Sequence, residues 1–374
     1  MNKTSIQTVW ICAGTAGELI KLYPVIKEIE NYPQQLEWRF LFTGQSPCNF
    51  RRQWEDFGLN DQFIVGLVST KADLKNISQA LKWFLRGILI NTQGMRTSIK
   101  NTFGFQPKKN DFWVVHGDTL STLMGAKWCS AHHGRLVHVE AGLRSTSIVR
   151  PFPEEITRRL VSRLTKIHFP QDDFAKNNLK IKAAKGEIIS TNGNTLYDTL
   201  RLLGTVSHAE SDSSKPFVLV NIHRNENLSN DKRWQIIINT ICKVAVQNRV
   251  KMVLHPPTSQ KLKRDIESDL RLRGAGVELL PRIVFGQFIK LIHQARYVIT
   301  DGGSNQEECA YLGKPCLILR TETERLEGLT KNCLLSKFES ELIDNFIENP
   351  EKFQHNPTKF MITPSSKIVT RLLS

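Results

Sequence analysis

The 374-residue chain has no apolar run near the ~18 residues that a membrane-crossing helix requires. Its first stretch, "MNKTSIQTVWICAG", holds an apolar segment too short for a signal-peptide core, so no leader is expected. Seven cysteines, at 12, 48, 129, 242, 309, 316 and 333, form no C-x-x-C pair and no Cys/His spacing suited to zinc. An odd, unpatterned set of thiols fits a reducing, cytoplasmic setting. Acidic residues are also short, with 36 Asp+Glu against 51 Lys+Arg and a net charge of +15. That excess suits nucleic acid, an anionic membrane surface, an anionic small substrate or a merely solvated basic face, and composition does not choose among them. Hydrophobic content of 40% with 23% charged residues is that of a globular protein, and the length suggests two domains.

What is present is an alternation. Short apolar, β-rich runs separated by helical stretches occur at 8–14, 39–45, 112–118, 135–142 and 166–170. A second series follows at 187–191, 217–223, 250–256, 276–280, 297–303 and 315–320, and residues 204–216 read as an exposed polar loop. This pattern predicts an α/β fold of two doubly wound parallel-sheet domains joined near 190–195. The most apolar helical stretch, "ALKWFLRGILI" (80–90), carries Lys82 and Arg86 and reads as a packed surface helix rather than one lying in a membrane.

Ligands of such sheets bind at the carboxyl ends of strands. Here those ends are polar in succession: "AGTAGE", "TGQS", "HGDTLST", "HVEAGLRS", "IHRNEN", "LHPPT", "TDGGSNQEE" and "LRTETER". Eight of them, most with a His, Arg or Glu, predict a shared cleft between the domains. In "TDGGSNQEE", Gly302, Gly303 and Ser304 precede a helix whose free N–H groups suit a phosphate, although "DGG" is equally a tight turn. Glu308 or its neighbour Glu307 could accept both hydroxyls of a ribose. Asp118 is either a helix cap or an acid/base carboxylate, and Glu140 and Glu154 on neighbouring loops favour the second reading, since carboxylates gathered in one cleft raise one another's pKa. His223, beside Arg224, and His255 both close strands and are either structural or phosphate-facing. Lys21, Arg320 and Arg325 could neutralise a pyrophosphate, with surface salt bridges the alternative for the two arginines.

The motifs "HGDTLST", "HVEAGLRS", "PFPEEITRR", "NGNTLYD", "IHRNEN", "TDGGSNQEE", "GKPCLILR" and "TERLE" give nearly the whole chain a resemblance to the non-hydrolysing UDP-N-acetylglucosamine 2-epimerases. The resemblance implies a GT-B-like fold with an interdomain cleft. It further implies a sugar and catalytic domain over 1–190 completed by a C-terminal helix at 362–374, and a UDP-binding domain over 191–361. Its implied reaction removes the proton at C2 of the sugar with loss of UDP, then re-adds UDP with C2 inverted, in bacterial surface polysaccharide synthesis. Neither nicotinamide nor metal is used. The implied partners are a UDP-sugar and a second copy of the chain, with no nucleic acid. By position, Asp118, Glu140 and Glu154 match the family's cleft carboxylates, Arg158 the arginine beside them, and Lys21 its N-terminal lysine. His223 matches its phosphate-contacting histidine and Glu308 its ribose-binding glutamate.

Four departures concern the diphosphate and regulatory sites. The family's Gly-Thr-Arg-Pro-Glu reads "GTAGE", which puts Ala16 where it has arginine and Gly17 where it has proline. His-Arg-Arg-Glu becomes "HRNE", with Asn225 at the second arginine; Asp-Ser-Gly-Gly becomes "DGGS"; and Thr-Gly-Gln-His becomes "TGQS". Two missing cations at a leaving diphosphate correspond to a few kcal/mol of transition-state stabilisation. A glycosyltransferase of the same fold, or an epimerase that releases the free sugar, is the alternative that this altered shell suggests. The +15 charge would then suit an acceptor at an anionic membrane surface.

Overall fold

The computed structural model describes residues 6–374 apart from 69, 71, 75, 76, 91, 146–152, 183, 205–215 and 324. Most of the polar loop expected at 204–216 therefore lies outside the described residues. The first sheet contains β1 (Gln7–Ala13), β2 (Leu36–Phe42), β3 (Ile64–Gly66), β4 (Phe112–His116), β5 (Arg135–Val139), β6 (Ile167–Phe169) and β7 (Glu187–Ile188), in the order β3-β2-β1-β4-β5-β6-β7. The second contains β8 (Phe217–Asn221), β9 (Arg249–Val253), β10 (Glu278–Leu280), β11 (Ala295–Thr300), β12 (Cys316–Ile318) and β13 (Cys333–Leu335), in the order β10-β9-β8-β11-β12-β13.

Every pairing in both sheets is parallel. Parallel strands are covered by helices on both faces, so they read as unbroken apolar runs rather than alternating ones. Thus "FWVVH" in β4 and "FVLVN" in β8 are buried at every position. Trp10, Trp113, Met124 and Val161 meet in the core of the first unit, and Trp234, Ile238, Tyr297 and Phe346 in that of the second.

The chain divides into two compact units, Met1–Thr199 with Met361–Ser374, and Leu200–Phe360. Two sequence expectations change. The run at 187–191, grouped with the second series, supplies the outer strand β7 of the first sheet, paired with β6. Residues 191–199 also stay with the first unit, because Thr191 Oγ1 donates to Pro170 O at 3.0 Å and Thr199 Oγ1 to Ile20 O at 2.6 Å. The edge strands β3 and β13 escaped the sequence reading: "IVG" and "CLL" are too short to carry a periodic signal.

In each sheet the strand order reverses direction once, between β1 and β4 and between β8 and β11. Loops leaving these adjacent carboxyl ends diverge to opposite faces and leave a crevice. "AGTAGE" and "HGDTLST" fall there in the first sheet and "IHRNEN" and "TDGGSNQEE" in the second, with the other polar motifs on neighbouring strand ends.

Candidate functional site

In the first unit the loop after β1 enters the helix Ala16–Ile29 through Thr15, whose side chain caps the Glu18 amide. Glu18 replies: its Oε2 accepts from the amides of Gly14 at 3.0 Å and Thr15 at 2.9 Å, and its Oε1 accepts from Thr119 Oγ1 at 2.8 Å. This carboxylate is wholly buried, and burial raises its pKa against those hydrogen bonds. The helix terminus is thereby occupied by the chain's own acid, with Ala16 and Gly17 in its first turn.

About one turn on, Lys21 Nζ meets Glu140 Oε2 at 2.5 Å, both side chains being less than a tenth exposed. Glu140 follows β5 with φ +60°, a left-handed backbone conformation that strains a residue with a side chain and aims its carboxylate back over the sheet end. Gly142 needs no such strain at φ +89°, and a Cβ there would lie 2.3 Å from Ala175 O. Glu140 Oε2 also accepts from Asn194 Nδ2, which is shared with Gln171 Oε1 at 2.7 Å, and lies 3.6 Å from His116 Nε2. Asp118, after β4, is held by Arg158, with Nε at 2.8 Å and Nη2 at 2.6 Å from Oδ2. Between these strand ends His138 Nε2 donates to Gly117 O at 2.7 Å; burial drives its pKa down to about 3, so the ring is neutral.

The helix Glu154–Leu164 brings Glu154 and Arg158 to the same end of the unit, and Glu154 Oε2 is buried with no hydrogen-bond partner. The structure therefore pairs Lys21 with Glu140 and Asp118 with Arg158, so these two carboxylates face cations rather than each other. Glu155, given no role from sequence, is fully buried and anchors Arg159 Nε at 2.8 Å and Arg158 Nη1 at 3.5 Å. Its spacing of three and four residues from the two arginines was the available signal. His116 and Asn194 were also missed, although both lie inside motifs that had been singled out.

In the second unit Asp301, wholly buried after β11, stitches the crevice together. It accepts from the amides of His223 at 2.9 Å and Arg224 at 3.0 Å and from Asn227 Nδ2 at 3.0 Å. His223 Nδ1 lies 3.4 Å from Asp301 Oδ1, and its ring stacks on His255 with centroids 4.6 Å apart. Burial lowers both histidine pKa values, with Arg282 pushing the same way, and His255 falls to about 3. Two neutral imidazoles therefore stand beside arginines.

The helix Gly303–Leu312 starts at Gly302 with no side-chain cap, which leaves its amides facing outward with Ser304 in the first turn. A Cβ on Gly302 would lie 2.7 Å from Asn305 Oδ1 and 2.8 Å from His223 Cε1, so only glycine lets the loop pass this close. Asn305 Nδ2 donates to Glu308 Oε2 at 2.8 Å, and Glu308 is 3% exposed. Glu307 is instead taken by Arg325 Nη1 at 2.9 Å, which separates the two neighbouring glutamates. Arg320 is likewise paired, with Glu226 at 3.2 Å. His223, Arg224, His255 and Gly302 thus gather at one crevice.

A family model described as UDP-N-acetylglucosamine 2-epimerase matches residues 36–359. The chain is 27% identical over 338 residues to the UDP-N-acetylglucosamine 2-epimerase of Bacillus subtilis, covering 89% of this chain and 83% of that one. It is 28% identical to the enzyme of the same name from Neisseria meningitidis, covering 91% of each. The solved structure of Methanocaldococcus jannaschii UDP-GlcNAc 2-epimerase in complex with UDP-GlcNAc and UDP has a TM-score of 0.74 at 25% identity, covering 98% of both chains. This match over most of its length shows that the chain belongs to the UDP-N-acetylglucosamine 2-epimerase family.

Proposed function

We propose that the protein interconverts UDP-N-acetylglucosamine and its manno epimer by eliminating and re-adding UDP. One observation carries the assignment of roles: Glu154 Oε2 is buried without a hydrogen-bond partner, while Asp118 and Glu140 are each engaged by a cation. An oxygen with no hydrogen bond or ion pair can take a proton without first giving up a partner. Glu154 takes the C2 proton as the C1–O bond breaks. The C–H electron pair becomes the C1=C2 double bond, and the C1–O pair leaves on the UDP oxygen. Asp118 and Glu140, positioned by Arg158 and Lys21, hold sugar hydroxyls and stabilise the cationic character that develops at C1.

The second unit receives the nucleotide in this reading. The amides at Gly303 and Ser304 and the arginine Arg224 bind the diphosphate, His223 and His255 donate neutral N–H groups to it, and Glu308 takes the ribose. Arg320, paired with Glu226, holds the loop beside Asn225 in register. Incubation of the protein with UDP-GlcNAc in D2O, followed by NMR, tests the proposal: deuterium at C2 and the manno isomer are expected. An unchanged sugar, or free N-acetylmannosamine without the nucleotide epimer, rejects it.

The same reading includes a homodimer in the cytosol. Leu81, Leu85 and Leu89 are 54%, 43% and 76% exposed and recur at every fourth residue on and just beyond the helix Ile77–Ile88, an apolar stripe suited to a second copy. Light scattering should give twice the chain mass, and Leu85→Glu should return it to one.

A further inference from the structure

Outside the clusters already described, the first unit holds a cavity of 460 Å3 lined by Arg144, Arg159, Ser162, Arg163, Lys182 and Lys185, with Ala184. Five cations and, among the described residues, no carboxylate face it. Arg144 is built into its wall: the side chain is 9% exposed, Nη2 donates to Ser162 Oγ at 3.1 Å and Nη1 to Leu143 O at 2.8 Å. Its Nε, 4.0 Å from Glu155 Oε1, is buried and makes no hydrogen bond. Arg163, Lys182 and Lys185 have no side-chain ion pair among the described residues.

Glu155 is shared behind this wall. It faces Arg159 at 2.8 Å, Arg158 at 3.5 Å and Arg144 at 4.0 Å. Arg158 is also held by Asp118, so three guanidiniums on two carboxylates leave one charge uncompensated, on the Arg144 and Arg159 side. Burial lowers the pKa of Arg144, and Arg159 and Arg158 push it the same way against Glu155. The volume is that of a small-ligand site. An uncompensated guanidinium donor with lysines at the rim is the donor set of a phosphate, whose several oxygens take several cations at once.

We infer that this cavity binds a phosphate-bearing anion, apart from the Asp118 and Glu140 cluster, and that its occupant is felt at Asp118 through Glu155. An anion that engages Arg144 and Arg159 releases Glu155 to Arg158, and Arg158 then holds Asp118 less tightly than at its present 2.6 Å. This coupling rests on the role proposed above for Asp118; the binding does not. A free polyphosphate and an anionic lipid headgroup share the recognising chemistry. The concave wall with Arg144 inside it favours the free anion, since a flat bilayer would reach only the lysines at the rim.

The test is lysine acetylation footprinting of the full chain by mass spectrometry. Tripolyphosphate should slow the labelling of Lys182 and Lys185 but not of lysines elsewhere, and phosphatidylglycerol vesicles should leave both at their free rate. Arg163→Glu, an exposed change, should raise the half-protecting concentration about tenfold, as should Arg144→Met. In turnover assays tripolyphosphate should change kcat for the wild type and not for Arg163→Glu, whereas competition at the nucleotide site would change only KM. Absence of protection, protection by vesicles alone, equal protection of all surface lysines, or protection unaltered by Arg163→Glu overturns the site. Protection with kcat unmoved overturns the coupling alone, and a protein without epimerase activity that still shows the footprint overturns the proposed function and not the site.

Discussion

The two units put the same kind of crevice at the same kind of strand reversal and finish it in opposite ways. In the first, the helix terminus after β1 is filled by Glu18, whose carboxylate takes the amides of Gly14 and Thr15. In the second, the helix after β11 begins at Gly302 with no side-chain cap. A filled terminus cannot take an anion, and an open one is a phosphate site. The remaining charges follow suit: Glu140, Asp118 and Glu154 concentrate in the first, and Arg224 with two neutral histidines in the second. In the function proposed above, one topology thus serves proton chemistry in one unit and a diphosphate in the other, and the difference lies in a few loop residues.

Changes confined to one unit can break this contrast. Glu154→Gln is expected to lower turnover by about 10²–10⁴-fold while UDP affinity, measured by calorimetry, stays put. Undiminished turnover would remove Glu154 from the mechanism. Next, Lys21→Met removes the lysine paired with buried Glu140 and should cost about 3–5 kcal/mol of stability in urea denaturation. A loss under 1 kcal/mol would mean that Glu140 is neutral or that water reaches it.

Acid distinguishes the units less sharply. His138 in the first and His255 in the second have folded pKa values of about 3 against an ordinary 6.5, so both are neutral in the fold. Protonation therefore favours the unfolded chain: their stabilising effect is complete above pH 6.5 and is lost as pH falls toward 3. Between pH 7.5 and 5 each should remove roughly 2 kcal/mol. Thermal unfolding of His138→Gln and His255→Gln proteins should be correspondingly less pH-dependent than that of the parent. A smaller effect is expected from Gly302→Ala, which crowds Asn305 and His223 and should weaken UDP binding about tenfold with the first unit untouched. Smallest is Asn225→Arg, which returns a cation to an exposed position beside Arg224 and should lower KM for the UDP-sugar by up to about fivefold, measurable by initial rates.

Most of the fold was legible because its strands are buried on both faces. Unbroken runs such as "TVWICA" and "FVLVN" announce a parallel sheet without any partner in view. Strand membership was less so: β7 is two residues at an edge, and its partner β6 is chosen by hydrogen bonds that leave no mark in the residues themselves. Glu140, Asp118 and Arg158 were named from the motifs and Lys21 from its position, yet which cation serves which carboxylate was not, since 119 residues separate Lys21 from Glu140. Glu155 is the instructive omission. It was given no role beside the candidate base Glu154, whereas its complete burial among Arg144, Arg158 and Arg159 makes it the residue that positions them.

The helix Pro364–Leu373 belongs to the first unit, where Ser365 N donates to Asp198 Oδ2 at 2.7 Å, Lys367 Nζ to Thr191 O at 3.0 Å, and Arg371 Nε meets Glu187 at 2.7 Å. Ile368, Val369 and Leu372 are buried there. In order of synthesis the second unit is therefore an insertion within the first. Residues 200–360 can fold on the ribosome as soon as they emerge, while the unit that began first waits for residues 364–373. Its completion is a late, long-range event, so loss of that helix should leave a chain with a folded second unit and an unfinished first one.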